Sequence, residues 1–278
     1  TLGIAAVLLL PVEIDASENT AQVPAAAALP VSENPEPALS RQSTPLVDAQ
    51  TAGDGYISVT YYEPEGKYKV LIEKDSERYV YDLIADNSIQ AFPLQMGDGD
   101  YTVSVMANTD GNQYRYLTQD DVTVAVDDLA VYLASVQMVE WQGLGEAAAV
   151  LTEGASTERE KVEAIYGYVV THITYDNDKI DTLDPGYIPD PAATLGEGSG
   201  ICYDFASLTA SLCRASGIPA RLVKGHAGTV EGYHAWNEIY CDGVWMTVDT
   251  SYDAQMHEAG NAYQMQKAEG IYSAEKIY

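Results

Sequence analysis

The distribution of apolar and polar residues divides the chain into an alternating part and a helical part. Between residues 53 and 128, apolar and polar positions alternate in short runs such as YISVTYY, KYKVLIEKD, RYVYDLIA and DYTVSVMAN, and turn-forming runs such as EPEG, GDGD and NTDG separate them. Six or seven short strands within roughly 75 residues are typical of a small antiparallel sandwich. The pattern therefore predicts an immunoglobulin-like all-β domain at 53–128. It contains neither His nor Cys.

Further along, the period changes to that of a helix. TEREKVEAIYGYVVTHI keeps one apolar stripe, and Thr157 and Glu160 form a capping-box pattern at its start. A polar, proline-punctuated loop, a glycine-rich turn and a second helix at about 201–216 follow. IPARLVKGH then predicts a strand, and YHAWNEIYCDGVWMTVDT predicts a hairpin. Helices followed by an antiparallel sheet indicate an α+β domain at 129–278.

The beginning of the chain differs from both parts. TLGIAAVLLLPV is apolar but too short to span a bilayer, so residues 1–15 are expected to be the remnant of a secretory signal. A membrane anchor and a buried strand are the alternatives. Residues 16–52 are rich in Ala, Pro, Ser, Glu and Gln and lack periodicity, which predicts a disordered linker. Together these segments predict a secreted or cell-surface protein.

Charge and composition narrow the classes of partner. Asp and Glu number 42 against 14 Lys and Arg, which gives a net charge of −28. Such a field repels phosphate backbones and anionic lipids, so nucleic acid is excluded as a partner and membrane contact is expected only through an N-terminal anchor. The three cysteines show no disulfide framework, and CxxC, HExxH and clustered ligand spacings are missing from the sequence. We therefore predict no metal and no cofactor.

Cys202 lies directly after a glycine-rich run, GEGSG. If a helix begins near residue 201, the thiol lies in its first turn, where unpaired backbone N–H groups and the positive end of the helix dipole stabilise a thiolate. The glycines would allow unusual dihedral angles and the close approach of a substrate backbone. The alternative is a small buried hydrophobic residue, as most free cysteines are. Cys202 is thus a candidate nucleophile.

A thiolate nucleophile needs a general base that a third group orients. The Asp-Gly pair at 242–243 is a strong turn signal, and a two-residue turn there pairs Cys241 with Val244 and each successive pair outward. His234 and Asp249 would then share one face as diagonal cross-strand neighbours, with their Cβ atoms under ~7–8 Å apart. That distance allows an imidazole–carboxylate hydrogen bond. A one-residue bulge would reverse the assignment.

These residues belong to a larger set of ordered motifs. GSGICYDFASLTASLCRASGIPARLVKGH, YHAWNEIY and GVWMTVDTSYD resemble the core of the bacterial transglutaminase-like superfamily, a papain-like thiol fold, over roughly 155–255. The resemblance implies Cys202 as nucleophile, His234 as base and acid, and Asp249 as the group that orients His234. It also implies an oxyanion site formed by the backbone N–H of Cys202 and an upstream aromatic residue, for which Tyr175 is the candidate. A merely packed tyrosine is the alternative for Tyr175.

The chemistry implied by the resemblance is acyl transfer through a thioester. With water as acceptor the enzyme is a cysteine peptidase or amidase, and with a lysine amine it is a cross-linking transglutaminase. Hydrolysis is favoured over amine transfer, because a cross-linking enzyme would also need a tunnel that excludes water, and such a tunnel cannot be read from the sequence. A non-catalytic surface binding module is the second alternative. The expected partner is an extracellular protein or a cell-wall peptide, and Gly200, Tyr203 and Trp236 are candidates for the walls of the site.

Overall fold

The computed structural model describes residues 41–126, 128–184 and 186–278. The predicted signal or anchor remnant at 1–15 and most of the predicted linker lie outside the described residues. The alternating part forms strands at Leu46–Asp48 (β1), Tyr56–Tyr62 (β2), Tyr68–Lys74 (β3), Glu77–Leu83 (β4), Asp86–Pro93 (β5), Gly99–Asp110 (β6) and Gln113–Val124 (β7). They make two antiparallel sheets with the orders β1-β2-β5 and β4-β3-β6-β7.

Apolar residues at alternate positions of both sheets meet in one core. Ile57 of β2 and Ile72 of β3 are fully buried, and the rings of Tyr81 and Phe92 contact each other across the two sheets with centroids 5.3 Å apart. Several inward positions carry tyrosine, whose ring is buried as phenylalanine would be. The small antiparallel sandwich expected from the alternation is therefore present.

The linker prediction is wrong at its C-terminal end. Residues 46–48 form β1 and pair with β2, and the backbone oxygen of Gln42 accepts a hydrogen bond of 2.7 Å from the N–H of Tyr62. Residues 52–54 form a turn of 3-10 helix. A three-residue edge strand is stabilised by the backbone of its neighbour rather than by an apolar pattern of its own, so composition does not reveal it.

The second part of the chain packs helices against an antiparallel sheet, as the α+β prediction required. Its helices are Gly145–Leu151 (α1), Glu158–His172 (α2), Asn177–Ile180 (α3), Pro191–Glu197 (α4), Cys202–Ala215 (α5) and Thr250–Glu258 (α6). Its strands are Thr174–Tyr175 (β8), Ser199–Gly200 (β9), Ala220–Ala227 (β10), His234–Cys241 (β11), Val244–Val248 (β12) and Tyr272–Ile277 (β13). The main sheet has the order β12-β11-β10-β13, and β8 pairs with β9 in parallel. None of the helices in the described ranges combines the length and apolarity needed to cross a bilayer.

A capping box and an apolar stripe determine where α2 begins and how α5 packs against the sheet. The capping box of α2 is confirmed, because Thr157 Oγ1 accepts a hydrogen bond from Glu160 N–H (3.2 Å) and the Glu160 carboxylate accepts one from Thr157 N–H (3.1 Å). In α5, the side chains of Phe205, Leu208 and Leu212 are fully buried. This apolar stripe holds α5 against β10 and β11, and so it fixes the direction in which the first residue of α5 points.

The β11–β12 hairpin has the predicted register. Cys241 pairs with Val244, and the ladder continues outward without a bulge to Asn237 and Val248. Positive φ angles of 56° at residue 242 and 83° at residue 243 match a two-residue turn of type I′. The register that this turn predicts is therefore confirmed as far as Asn237 and Val248.

The C-terminal strand β13 contacts the sandwich. The ring of Tyr278 lies edge-on to Tyr79 and Tyr81, with centroid separations of 5.6 and 6.0 Å. The backbone N–H and C=O of Tyr278 pair with those of Leu222 in β10. This strand therefore links the edge of the main sheet with the aromatic face of β4.

Candidate active site

Cys202 is the first residue of α5. Ile201 precedes it in an extended conformation, so the thiol lies where the helix begins, as the sequence predicted. Cys202 is partly exposed, whereas Cys213 and Cys241 are buried, and all three are free. Burial raises the pKa of Cys213 to about 12 and that of Cys241 to about 11, which keeps both thiols protonated. Cys202 is thus the accessible thiol among the three cysteines.

A buried carboxylate that sequence reasoning missed fixes the start of α5. Asp204 is fully buried and accepts hydrogen bonds from Ile201 N–H (2.8 Å), Lys179 Nζ (2.8 Å) and the Tyr187 hydroxyl. A carboxylate at the third helical position that accepts from the N-cap N–H is one half of a capping box. The pattern could have been found in the sequence, although an Ile at the N-cap conceals it.

The glycines before Cys202 do not form the open loop that the sequence suggested. Gly196 lies inside α4, Gly198 ends that helix with a φ of 68°, and Gly200 lies in β9. A Cβ on Gly200 would lie 2.6 Å from Asp204 Cβ, so glycine is required there for close packing. The preceding segment, predicted as a loop, contains α3 and α4, because Asp176 and Asp190 provide N-caps.

His234 and Asp249 are in contact. His234 Nε2 lies 2.8 Å from Asp249 Oδ2, and both side chains are buried. β12 ends at Val248, so Asp249 does not continue the ladder opposite Trp236 but caps the N-terminus of α6. The predicted pair therefore meets through a helix cap instead of a cross-strand diagonal.

Three further donors orient the Asp249 carboxylate. Oδ1 accepts hydrogen bonds from Tyr252 N–H and Ser251 Oγ, each 3.0 Å long, and Oδ2 also accepts from the Tyr272 hydroxyl at 2.9 Å. Sequence reasoning found neither α6 nor Tyr272 of β13. Asp249 followed by Thr-Ser is an N-cap signal, but nothing local to Tyr272 indicates its partner.

The His234–Asp249 pair shifts the pKa of both groups. Burial opposes charge on the imidazole, yet hydrogen bonds to Asp249 and Cys202 outweigh it and raise the pKa of His234 to about 9. Burial likewise acts to raise the pKa of Asp249, but the hydrogen bond from His234 and those from Tyr252 and Tyr272 hold it below its usual value. At neutral pH the pair is an imidazolium and a carboxylate. Because Nε2 contacts Asp249, Nδ1 is left for the Cys202 thiol.

Tyr175 lies beside Cys202. The parallel pairing of β8 and β9 sets Tyr175 opposite Gly200, and Asp176 N–H donates to the Gly200 carbonyl at 2.9 Å. Burial, the charge of Cys202 and a hydrogen bond to its side chain raise the pKa of Tyr175 to about 12, so the phenol remains a donor. Its ring also stacks on Phe205 with centroids 6.1 Å apart. Tyr175 thus has both the contact needed for an oxyanion donor and the packing of a structural tyrosine.

The three candidate wall residues occupy different places. Trp236 is only 1% exposed and stacks behind the His234 ring with centroids 6.3 Å apart, so it supports the imidazole and does not line a cleft. Gly200 is buried under Asp204. Tyr203 is partly exposed and lies next to Cys202 in α5, with Lys224 Nζ 3.4 Å from the centroid of its ring.

One group of possible metal ligands occurs among the described residues, at Glu158, Cys241 and Asp242. The guanidinium of Arg159 already contacts the Asp242 carboxylate at 3.1 Å, and burial keeps the Cys241 thiol protonated by raising its pKa to about 11. A thiol binds a metal ion as the thiolate, so this group is a weak ligand set.

Residues 146–250 match the family model described as the transglutaminase-like superfamily. Kyphoscoliosis peptidase from Homo sapiens is 29% identical over 126 residues, which cover 42% of this chain and 19% of the relative. The same protein from Mus musculus matches equally. The chain therefore matches about one fifth of the length of these curated relatives.

Two solved structures show a looser similarity. The periplasmic domain of TgpA from Pseudomonas aeruginosa has 14% identity and a TM-score of 0.38, with 79% of this chain and 96% of that chain covered. Red sea bream transglutaminase has 13% identity and a TM-score of 0.31, with 76% and 48% covered.

Proposed function

We propose that this chain, which carries a transglutaminase-like domain at residues 146–250, is a cysteine-dependent acyl-transfer enzyme that hydrolyses amide bonds of proteins or peptides. The observation that supports the proposal most directly is the 2.8 Å hydrogen bond between His234 and Asp249, beside the N-terminus of α5, where Cys202 also raises the pKa of His234. A nucleophile, a base and an orienting carboxylate in hydrogen-bond contact are what a thiol hydrolase requires.

In the first half-reaction, Cys202 and His234 act as a thiolate–imidazolium pair. The thiolate Sγ attacks the amide carbonyl carbon, and the carbonyl oxygen becomes an oxyanion that the Cys202 N–H and the Tyr175 hydroxyl stabilise. His234 then gives its proton to the amide nitrogen, the C–N bond breaks, and the amine leaves. Asp249 keeps the imidazole oriented throughout, and Trp236 packs behind its ring.

In the second half-reaction, His234 removes a proton from water as the water oxygen attacks the thioester carbonyl. The C–S bond breaks and releases a carboxylic acid, and the thiolate–imidazolium pair is restored, since His234 holds the proton taken from water. Two observations favour water over a lysine amine as the acceptor. Cys202 is partly exposed to solvent, and the curated relatives that match the chain carry the name peptidase.

We place this activity outside the cytoplasm. The apolar run TLGIAAVLLLPV at residues 1–12 and the Ala- and Pro-rich segment at 16–52 support export followed by a tether. The substrate would then be an extracellular protein or a cell-wall peptide.

The experiment that tests the proposal compares wild type with Cys202→Ala on a glutamine-containing protein in the presence of a fluorescent primary amine. We expect new N-termini with wild type and none with the variant, as measured by N-terminal mass spectrometry. Incorporation of the amine without cleavage would replace hydrolysis by cross-linking. Products that are identical for both proteins would contradict an enzymatic role for Cys202.

A further inference from the structure

A lysine lies beside the proposed nucleophile. The register of β10 and β11 sets Gly225 opposite His234 and Lys224 opposite Ala235, one residue from the imidazole. Lys224 Nζ lies 3.4 Å from the centroid of the Tyr203 ring, and Tyr203 follows Cys202 in the first turn of α5. The charge of Lys224 also acts on the Cys202 sulfur. These contacts place the ammonium group of Lys224 against the residue that follows Cys202 at the start of α5.

Lys224 has aromatic neighbours but no acidic one. Its Nζ lies 5.4 Å from the centroid of Tyr278 in addition to its contact with Tyr203, and cation–π attraction of this kind stabilises a lysine without neutralising it. In the ranges that the structure describes, no carboxylate lies within ion-pair distance of Lys224. The residues that do form such pairs there are Lys69, Lys74, Arg159, Lys179, Arg221, His226, His234 and Lys267.

The surroundings of Lys224 favour an anion. Lys224 is partly buried, and this burial lowers its pKa to about 8, so most of the ammonium is still charged at neutral pH. A cation that is already desolvated gains more from a carboxylate than a hydrated cation does. The net charge of −28 repels acidic ligands from the molecule as a whole, but that field is screened over about 8 Å at physiological ionic strength.

From this placement we propose that Lys224 forms a subsite for a carboxylate of the acyl donor, next to the amide bond that Cys202 attacks. The inference rests on the proposed acyl-transfer function and narrows its substrates to peptides with an acidic group beside the reacting carbonyl. An Asp or Glu side chain and the terminal carboxylate of a short peptide would supply the same group.

Alkylation of Cys202 tests the subsite without any substrate. Iodoacetate and iodoacetamide transfer groups of similar size, but only iodoacetate carries a carboxylate. We expect Lys224→Met to lower the ratio of the iodoacetate rate to the iodoacetamide rate at Cys202 by on the order of fivefold. Lys224→Arg should retain the ratio, because it keeps the charge.

Lys161→Met is the matched control. It removes one positive charge as well, but Lys161 Nζ contacts the carbonyl of Ser216 beyond the last residue of α5, at the opposite end from Cys202. The control should leave the ratio unchanged. If Lys224→Met and Lys161→Met give the same ratio as wild type while Cys202 still reacts, the subsite proposal is overturned.

Peptide turnover then separates the two sources of carboxylate. Paired peptides carry Glu or Gln beside the scissile amide, or a free or amidated C-terminus. We expect wild type to cleave the acidic peptide of one pair, with Glu or with a free C-terminus, at a lower KM than the Gln or amidated peptide of the same pair. Lys224→Met should remove that difference in KM. Equal turnover of all pairs by wild type would overturn the subsite. If the ratio of the iodoacetate rate to the iodoacetamide rate depends on Lys224 but no peptide is cleaved, the anion site is supported and the proposed hydrolase activity is contradicted.

Discussion

At the scale of single residues, the proposed chemistry depends on how firmly hydrogen bonds hold the Asp249 carboxylate in place. Each carboxylate oxygen accepts two hydrogen bonds, Oδ1 from Ser251 and Tyr252 and Oδ2 from His234 and Tyr272. A buried carboxylate with this number of donors stays ionised, and an ionised partner makes the neighbouring imidazole more basic. The pKa of His234 therefore depends strongly on the ionised Asp249 carboxylate.

Replacement of Asp249 by Asn should show this dependence. The amide cannot stabilise the imidazolium by charge, so only the effect of Cys202 then opposes burial and the pKa of His234 should fall well below about 9. NMR titration of the four histidine rings measures it. A His234 titration that stays near 9 in the variant would contradict the assignment of Asp249 as its partner.

Tyr272→Phe, unlike Asp249→Asn, should not lower the pKa of His234. It removes one donor from Asp249 Oδ2 and leaves the His234 contact, so the carboxylate becomes a stronger acceptor for the imidazole. We expect the pKa of His234 to stay at or above about 9, while the free energy of unfolding falls by about 1 kcal/mol. Chemical denaturation and the same NMR titration measure the two effects. A fall of the His234 pKa like that in Asp249→Asn would show that Tyr272 acts on His234 by another route.

At the scale of elements, the start of α5 is determined by packing between Gly200 and Asp204. The buried Asp204 side chain packs against the α-carbon of Gly200. Its carboxylate also accepts a hydrogen bond from the N–H of Ile201, the residue immediately before Cys202. The position of the sulfur therefore depends on a glycine for steric reasons.

Gly200→Ala tests this packing. The new Cβ would lie 2.6 Å from Asp204 Cβ, and overpacking of this kind typically costs about 1–3 kcal/mol. We expect a lower melting temperature and slower alkylation of Cys202. Gly196→Ala is the control, because no atom lies within 4 Å of its added Cβ and the residue is helical, so it should be neutral or stabilising. Equal behaviour of the two variants would rule out the steric role of Gly200.

The sequence predicted the elements whose signals are local. The β11–β12 register followed from one Asp-Gly turn, and the start of α2 followed from a capping box. The donor from β13 was not predictable, because Tyr272 is 23 residues from Asp249 and meets it only after β13 pairs with β10. The strand β1 and the helices α3 and α4 were missed because neighbouring backbone or single caps stabilise these short segments.

At the scale of the whole molecule, the site and the sandwich share a structural connection. β13 supplies Tyr272 to Asp249, and its neighbour Tyr278 contacts both Lys224 and the tyrosines of β4. The edge strand that completes the proposed site therefore also packs against the sandwich. Stability of the molecule and ionisation of the site should be linked.

The pH dependence of unfolding tests that link. The folded pKa of His234, about 9, lies above the value of about 6.5 expected for an unfolded chain. Its protonation therefore stabilises the fold fully below about pH 6.5, and this contribution is lost as the pH rises towards 9. An upper limit from the shift is about 3 kcal/mol. Denaturation curves between pH 6 and pH 9 should show the loss in wild type and a flatter profile in His234→Gln. Parallel profiles would indicate that His234 is not protonated in the fold.

We propose that His234 keeps the sulfur of Cys202 ready to react. Brief labelling with iodoacetamide, resolved by peptide mass spectrometry for the three cysteines, tests it directly. We expect rapid, pH-dependent modification of Cys202, little modification of the buried Cys213 and Cys241, and a marked loss of Cys202 labelling in His234→Ala. Slow and equal labelling of all three cysteines, unchanged in His234→Ala, would contradict the claim and favour a binding module without catalytic activity.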